Sequence, residues 1–141
     1  MDIRQKQIIV EVTLRVPIQE VWEKWTTPSD IMQWSHASDD WHTPKVENDL
    51  RVGGKFLSRI EAKDGSAGFD FTGTYDEVRQ HEYIAYTMSD SRKVSITFFS
   101  TQEGVKITEA FDPEEENTTE IQRDGWQAFL DNFKKYAEKG L

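Results

Sequence analysis

The chain contains no cysteine, which excludes disulfide frameworks, thiolate zinc sites and cysteine nucleophiles together. It also lacks any basic stripe: 17 lysines and arginines face 26 aspartates and glutamates, for a formal charge of −9. Nucleic acid and anionic membrane are accordingly poor partners. No segment approaches the roughly 18 consecutive apolar residues of a spanning helix, so no membrane insertion is expected. The first residues, Met1-Asp2-Ile3-Arg4-Gln5-Lys6-Gln7, lack the apolar stretch of a signal peptide, and a cytoplasmic location is the expectation. Gly53-Gly54 is not a phosphate loop, because the Gly-Lys-Ser/Thr context and the following helix are missing. There is no Ser-His-Asp ordering with a nucleophile motif, no internal repeat and no linker. No cofactor and no metal are expected, and the 141 residues read as one domain, 1–141, large enough to bury roughly 70% of its unfolded surface.

What the chain does have is tryptophan. Four of its five tryptophans, Trp22, Trp25, Trp34 and Trp41, lie within one stretch, and the fifth, Trp126, sits near the far end. Each can bury on the order of 200 Å² yet keeps an N–H that wants a partner, so the set marks either a core or the wall of a cavity.

Hydrophobic periodicity gives the order of elements. Ile8, Val10, Val12, Leu14 and Val16 alternate with Ile9, Glu11, Thr13 and Arg15, as in a half-buried strand. Pro17 opens a short helix carrying Val21, Trp22 and Trp25 on one face. Thr27-Pro28 breaks it, and a second short helix, capped by Ser29 or Asp30, runs to Trp34. From 41 to 111 strands alternate with turns at Gly53-Gly54, Asp64-Gly65 and Glu103-Gly104. Around Asp64-Gly65 the expected register sets Ala62 opposite Phe69, Ile60 opposite Phe71, Ser58 opposite Gly73 and Phe56 opposite Tyr75. The pairs Glu61 with Asp70, Arg59 with Thr72 and Leu57 with Thr74 then face solvent. Around Glu103-Gly104 the register sets Phe98 opposite Ile107, Val94 opposite Phe111 and Ile96 opposite Glu109. Ile84, Tyr86 and Met88 belong to the neighbouring strand. After the acidic turn Asp112-Pro113-Glu114-Glu115-Glu116, a long helix from about Asn117 to Lys139 carries Trp126, Phe129, Leu130, Phe133 and Ala137 as one stripe. Asn117 and Glu120 have the spacing of a capping box, and Gly125 in the helix interior predicts a kink or a close backbone approach.

Four ordered motifs carry a resemblance over nearly the whole chain. Val21-Trp22-x-x-Trp25-Thr26-x-Pro28-x-x-Ile31-x-x-Trp34 is followed by Gly53-Gly54-Lys55-Phe56, then Gly68-Phe69-Asp70-Phe71-x-Gly73-x-Tyr75-Asp76-x-Val78, then Gly125-Trp126-x-x-Phe129-Leu130-x-x-Phe133-x-x-Tyr136. These resemble the START-like (SRPBCC, helix-grip) superfamily, and within it the bacterial relatives of the C-terminal domain of the activator of heat-shock protein 90 ATPase. The resemblance implies an α+β fold: a curved antiparallel sheet of about six or seven strands, two short helices after the first strand, and a long C-terminal helix in its grip. It also implies a hydrophobic cavity between sheet and helix. Shape alone does not fix activity, which must be argued from the site.

The inward residues supply a wall and handles for an apolar or amphipathic ligand. Phe56, Phe71, Tyr75, Tyr86 and Phe98 come from the strands; Trp126, Phe129 and Phe133 come from the last helix. Ser58, Glu109 and the two phenol oxygens are the polar handles. Glu109 is the one carboxylate expected on the inward face, where desolvation would raise its pKa and make it a hydrogen-bond donor or a candidate acid/base. A bond from Arg92, Lys106 or Gln122 is the structural alternative for it. His36, Asp39, Asp40 and His42 read as a solvated loop rather than a metal site, and Asp30, Arg59 and Glu61 as surface or supporting residues. The leading expectation is a non-enzymatic ligand-binding domain. The alternatives are a protein-interaction or co-chaperone-like module and a cyclase- or hydrolase-like enzyme using Glu109 with Tyr75 or Tyr86.

Overall fold

A computed structural model describes residues 6–139; residues 1–5 of the N-terminal stretch and the last two residues lie outside it. The element order is β1 (Ile8–Leu14), α1 (Ile18–Thr26), α2 (Pro28–Trp34), β2 (Trp41–Asn48), β3 (Lys55–Ala62), β4 (Gly68–Arg79), β5 (Tyr83–Met88), β6 (Lys93–Thr101), β7 (Gly104–Phe111) and α3 (Thr119–Ala137). The strands form one curled antiparallel sheet in the order β1-β7-β6-β5-β4-β3-β2. This is the α+β helix-grip arrangement. Consecutive hairpins run from β2 to β7, and β1 then closes against β7, so the α1–α2 connection must cross from one edge of the sheet to the other. In doing so it covers one end of the concave face.

Local chemistry explains the two short helices. Pro17 occupies the N-cap of α1 and Pro28 the first position of α2, where a missing N–H costs nothing. Thr27, extended at φ −82° and ψ 124°, separates them. It, and not Ser29 or Asp30, is the N-cap of α2. Thr118 rather than Asn117 caps α3, its hydroxyl accepting from the Ile121 amide at 3.1 Å. The space around Gly125 is open, and α3 runs unbroken through it, so the expected close approach is absent.

The β6–β7 register is the expected one, with Ile96 opposite Glu109 and Phe98 opposite Ile107. The β3–β4 register differs by two residues: Phe56 faces Gly73, Ser58 faces Phe71 and Ile60 faces Phe69. Two local causes are visible. The Asp64 carboxylate accepts from the Ser66 amide at 2.8 Å, and the Ala62 amide bonds the Ala67 carbonyl, which centres a short turn on Asp64-Gly65, two residues tighter than the expected register allows. The expected register would also have set Glu61 against Asp70, whereas here Arg59 lies opposite Asp70 and bonds both Asp70 at 3.3 Å and Glu61 at 2.9 Å. A shift of two preserves which side chains face inward. Phe69 nonetheless lies toward the sheet margin, 46% exposed.

The core concentrates at the end covered by α1 and α2. Phe133 is fully buried, with ring centroids 4.9 Å from Trp25 and 4.8 Å from Trp34. Phe98 takes Trp22 at 5.3 Å and Trp25 at 5.7 Å, both edge to face. Such pairs contribute about 0.5–1.5 kcal/mol each beyond area burial. The Trp34 indole N–H donates to the Lys24 carbonyl at 3.0 Å, which meets its one polar requirement.

Candidate functional site

Away from that packed end, the concave face and the helices enclose a cavity of about 420 Å³, within the roughly 300–1,000 Å³ range of small-molecule sites. Strand alternation aims Phe56, Ser58 and Ile60 of β3, Phe71 and Tyr75 of β4, and Ile84, Tyr86 and Met88 of β5 into it. β6 adds Ile96 and β7 adds Glu109. Trp126 and Phe129 of α3 close the opposite side, with Ile31 and Trp34 of α2 and Trp25 of α1 at the inner end. Exposed Phe69, Asp70, Ser89 and Asp90, with half-buried Arg92, mark the mouth.

Eight of the ten candidate residues thus share one cavity wall: Phe56, Ser58, Phe71, Tyr75, Tyr86, Glu109, Trp126 and Phe129. The remaining two, Phe98 and Phe133, fill the core around Trp22, Trp25 and Trp34 instead. They face the same way as the wall residues but sit at the closed end, because alternation fixes the face of a side chain and not its depth along the strand.

Glu109 lies between Val10 of β1 and Ile96 of β6 and is 5% exposed. Its possible partners are engaged elsewhere. Gln122 donates to the Glu114 and Asn117 carbonyls at 3.0 and 2.9 Å, Lys106 pairs with Glu11 at 3.3 Å, and Arg92 pairs with Asp90 at 2.8 Å. Burial alone pushes the Glu109 carboxyl up from its ordinary 4.5 to about 8. At neutral pH it is therefore chiefly a neutral acid, able to donate a hydrogen bond.

The phenols differ from one another. The Tyr75 hydroxyl donates to Asn48 Oδ1, and Asn48 Nδ2 in turn donates to the Thr26 carbonyl at 2.7 Å, tying β4 and β2 to the end of α1. Tyr86 is pushed well above its ordinary value, first by burial and then by the nearby Glu109 charge. Its ring packs edge to face on Phe56 at 4.8 Å. Phe56 in turn lies over Gly73, where a Cβ would come within 2.7 Å of the ring. Trp126 stacks flat on Phe111, centroids 3.9 Å apart at 9°.

Asn48, Arg92, Met88, Ile31, Trp25 and Trp34 also line the site and were not assigned to it from sequence. For the two tryptophans, the aromatic clustering was the available signal. Of the residues expected in a loop after Trp34, His42 is instead in β2, 3.7 Å from Glu61, and Trp41 begins that strand against Phe69. The His36 Nδ1 is buried without a partner, and burial lowers its pKa. Asp30 accepts from the Tyr136 hydroxyl. Among the described residues no group of three or more His, Asp or Glu is placed to hold a metal ion, and no described helix is long and apolar enough to cross a membrane.

Comparison with known proteins adds the family. The fold superposes on the solution structure of an AHSA1-like protein from Aeromonas hydrophila with a TM-score of 0.89, 44% identity, and coverage of 94% of this chain and 92% of that one. A Cytophaga hutchinsonii protein is 49% identical, with a TM-score of 0.82 over 94% of this chain and 92% of that one. A protein from Nitrosomonas europaea shares the fold at 20% identity, TM-score 0.78, covering 99% and 97%. No curated protein matches the chain. The family model described as activator of Hsp90 ATPase homolog 1-like protein matches residues 15–138. With that match over most of its length, and relatives of nearly half identity sharing its curled sheet and gripped helix, the chain belongs to the activator of Hsp90 ATPase homolog 1-like family.

Proposed function

We propose that this protein binds a small apolar or amphipathic molecule between the sheet and α3, without turning it over. One observation carries the reading: a buried carboxyl with no partner among the described residues borders an aromatic-walled cavity of about 420 Å³. A core that existed only for stability would gain by filling that space and by replacing the acid with an apolar side chain. The catalytic alternative pairs Glu109 with a tyrosine as proton acceptor. Tyr75 is committed to Asn48, and burial holds Tyr86 too firmly protonated to serve.

Two measurements test the proposal. Native mass spectrometry of the protein as purified should show a bound small molecule, and titration with anilinonaphthalene sulfonate should give saturable quenching of tryptophan fluorescence through Trp126, Trp25 and Trp34. Failure of both, with amide exchange unchanged along the cavity wall, would leave the space as an unused packing gap. Steady turnover of an aromatic substrate, abolished in Glu109→Gln, would replace binding by catalysis.

A further inference from the structure

The polar groups of the wall divide sharply into those already satisfied and those left free. Tyr75 and Asn48 satisfy each other and the Thr26 carbonyl. The acids near the mouth are paired with cations: Asp70 with Arg59 at 3.3 Å, an arginine it shares with Glu61, Asp90 with Arg92 at 2.8 Å, and Glu47 with Lys45 at 3.8 Å. Deeper inside, the Glu109 carboxyl is shifted by its burial, and the Tyr86 hydroxyl, 6% exposed by residue, likewise has no hydrogen bond to any described residue.

These two free groups stand in a fixed relation. Tyr86 pairs with Val94, which pairs with Phe111, while Ile84 pairs with Ile96, which pairs with Glu109. The two residues are thus two strands apart and one inward step apart along the sheet, a Cα separation on the order of 12 Å from ordinary strand spacing. Both side chains project from the concave face into the same cavity. Each ends in an O–H donor when neutral and borders the cavity, so a ligand that displaces water from it without accepting its proton forfeits about 1–3 kcal/mol. The aromatic rings are not arranged as a cage for a cation. Phe56 is spent on Phe71, Tyr75 and Tyr86 at 4.8–5.5 Å, and one face of Trp126 lies on Phe111.

Resting on the cavity-binding reading above, we propose that the natural ligand is an uncharged apolar molecule bearing a carbonyl oxygen, which accepts from the Glu109 carboxyl and the Tyr86 hydroxyl. An amine is disfavoured, because it would have to ionise Glu109 in a wall that solvates charge poorly. A plain hydrocarbon leaves both donors unmet.

Three probes of one skeleton separate these cases: naphthyl methyl ketone, ethylnaphthalene and naphthylmethylamine, each titrated into the full chain at about neutral pH and followed by amide NMR shifts. The ketone should bind about five- to tenfold more tightly than the hydrocarbon, the ratio expected for one net hydrogen bond. Glu109→Leu should erase that advantage while hydrocarbon binding persists, and Tyr86→Phe should reduce it independently. Equal affinity for ketone and hydrocarbon, or tightest binding of the amine, overturns the carbonyl assignment and leaves the cavity reading standing. If none of the three shifts the amides of β3, β5 and β7, both readings fall.

Discussion

Replacing Glu109 by Gln should stabilise the protein in a way that depends on pH. The folded state holds the Glu109 proton up to about 8, whereas the unfolded chain releases it near 4.5. Below 4.5 both states carry the proton and the residue contributes no pH dependence. Between 4.5 and 8 the unfolded state is ionised and the folded state is not, so stability falls as pH rises. Above 8 both are ionised, and the cost of burying the charge is fully present. Each tenfold difference in proton affinity is worth about 1.4 kcal/mol, so the whole span amounts to about 5 kcal/mol, and to about 3 kcal/mol at pH 7. Gln keeps the shape and loses the titration. Urea unfolding of both proteins at a series of pH values gives the test, because the lowered carboxylates Asp64, Asp90 and Glu114 are common to both and cancel in the difference. The advantage of Glu109→Gln should be small near pH 4.5, grow by about 1.4 kcal/mol per pH unit, and level off above about 8. A difference that stays flat from pH 5 to 8 would refute the reasoning: Glu109 would then have to be ionised and partnered in the folded protein.

Two backbone predictions probe the positions where glycine matters least and most. Gly125→Ala should stabilise by about 1 kcal/mol in urea unfolding, since the site is mid-helix and exposed, and a Cβ there meets open space; a loss of stability would show that α3 needs glycine there after all. Gly73→Ala should cost about 1–3 kcal/mol and weaken probe binding, because the new Cβ falls 2.7 Å from the Phe56 ring and 2.9 Å from the Thr87 carbonyl oxygen, which drives Phe56 toward the cavity. Unchanged unfolding and unchanged probe affinity would count against that geometry.

Sequence period was enough to orient side chains but not to place them. The β6–β7 hairpin is legible because Glu103-Gly104 marks its turn, a two-residue Gln102-Glu103 loop with Thr101 opposite Gly104, and the apolar alternation on both sides agrees with it, which puts Glu109 on the inner face. The β3–β4 register was missed by two residues. The Asp64 side chain closes a tighter turn centred on Asp64-Gly65, and the pairing of Arg59 with Asp70 agrees with the shifted alignment; neither is visible in the hydrophobic pattern. The inward set survived the error, since only an odd shift reverses the faces. Phe98 and Phe133 were assigned to the cavity by the same parity, and the α1–α2 cover decided otherwise by packing Trp22, Trp25 and Trp34 against them.

What the chain by itself determined was therefore the element order, the fold and the inward carboxylate. The element order and the inward carboxylate follow from periodicity and turn residues, which are local in sequence, and the fold follows from the family resemblance that the four ordered motifs carry. Only the tertiary structure decided where the concave face is solid and where it is hollow, and that Arg92, Lys106 and Gln122 each spend themselves on other partners. Those outcomes depend on distances between residues far apart in the chain. The tryptophans that dominate the sequence mostly build the closed end, and packing, not pattern, left Glu109 without a polar partner among the described residues.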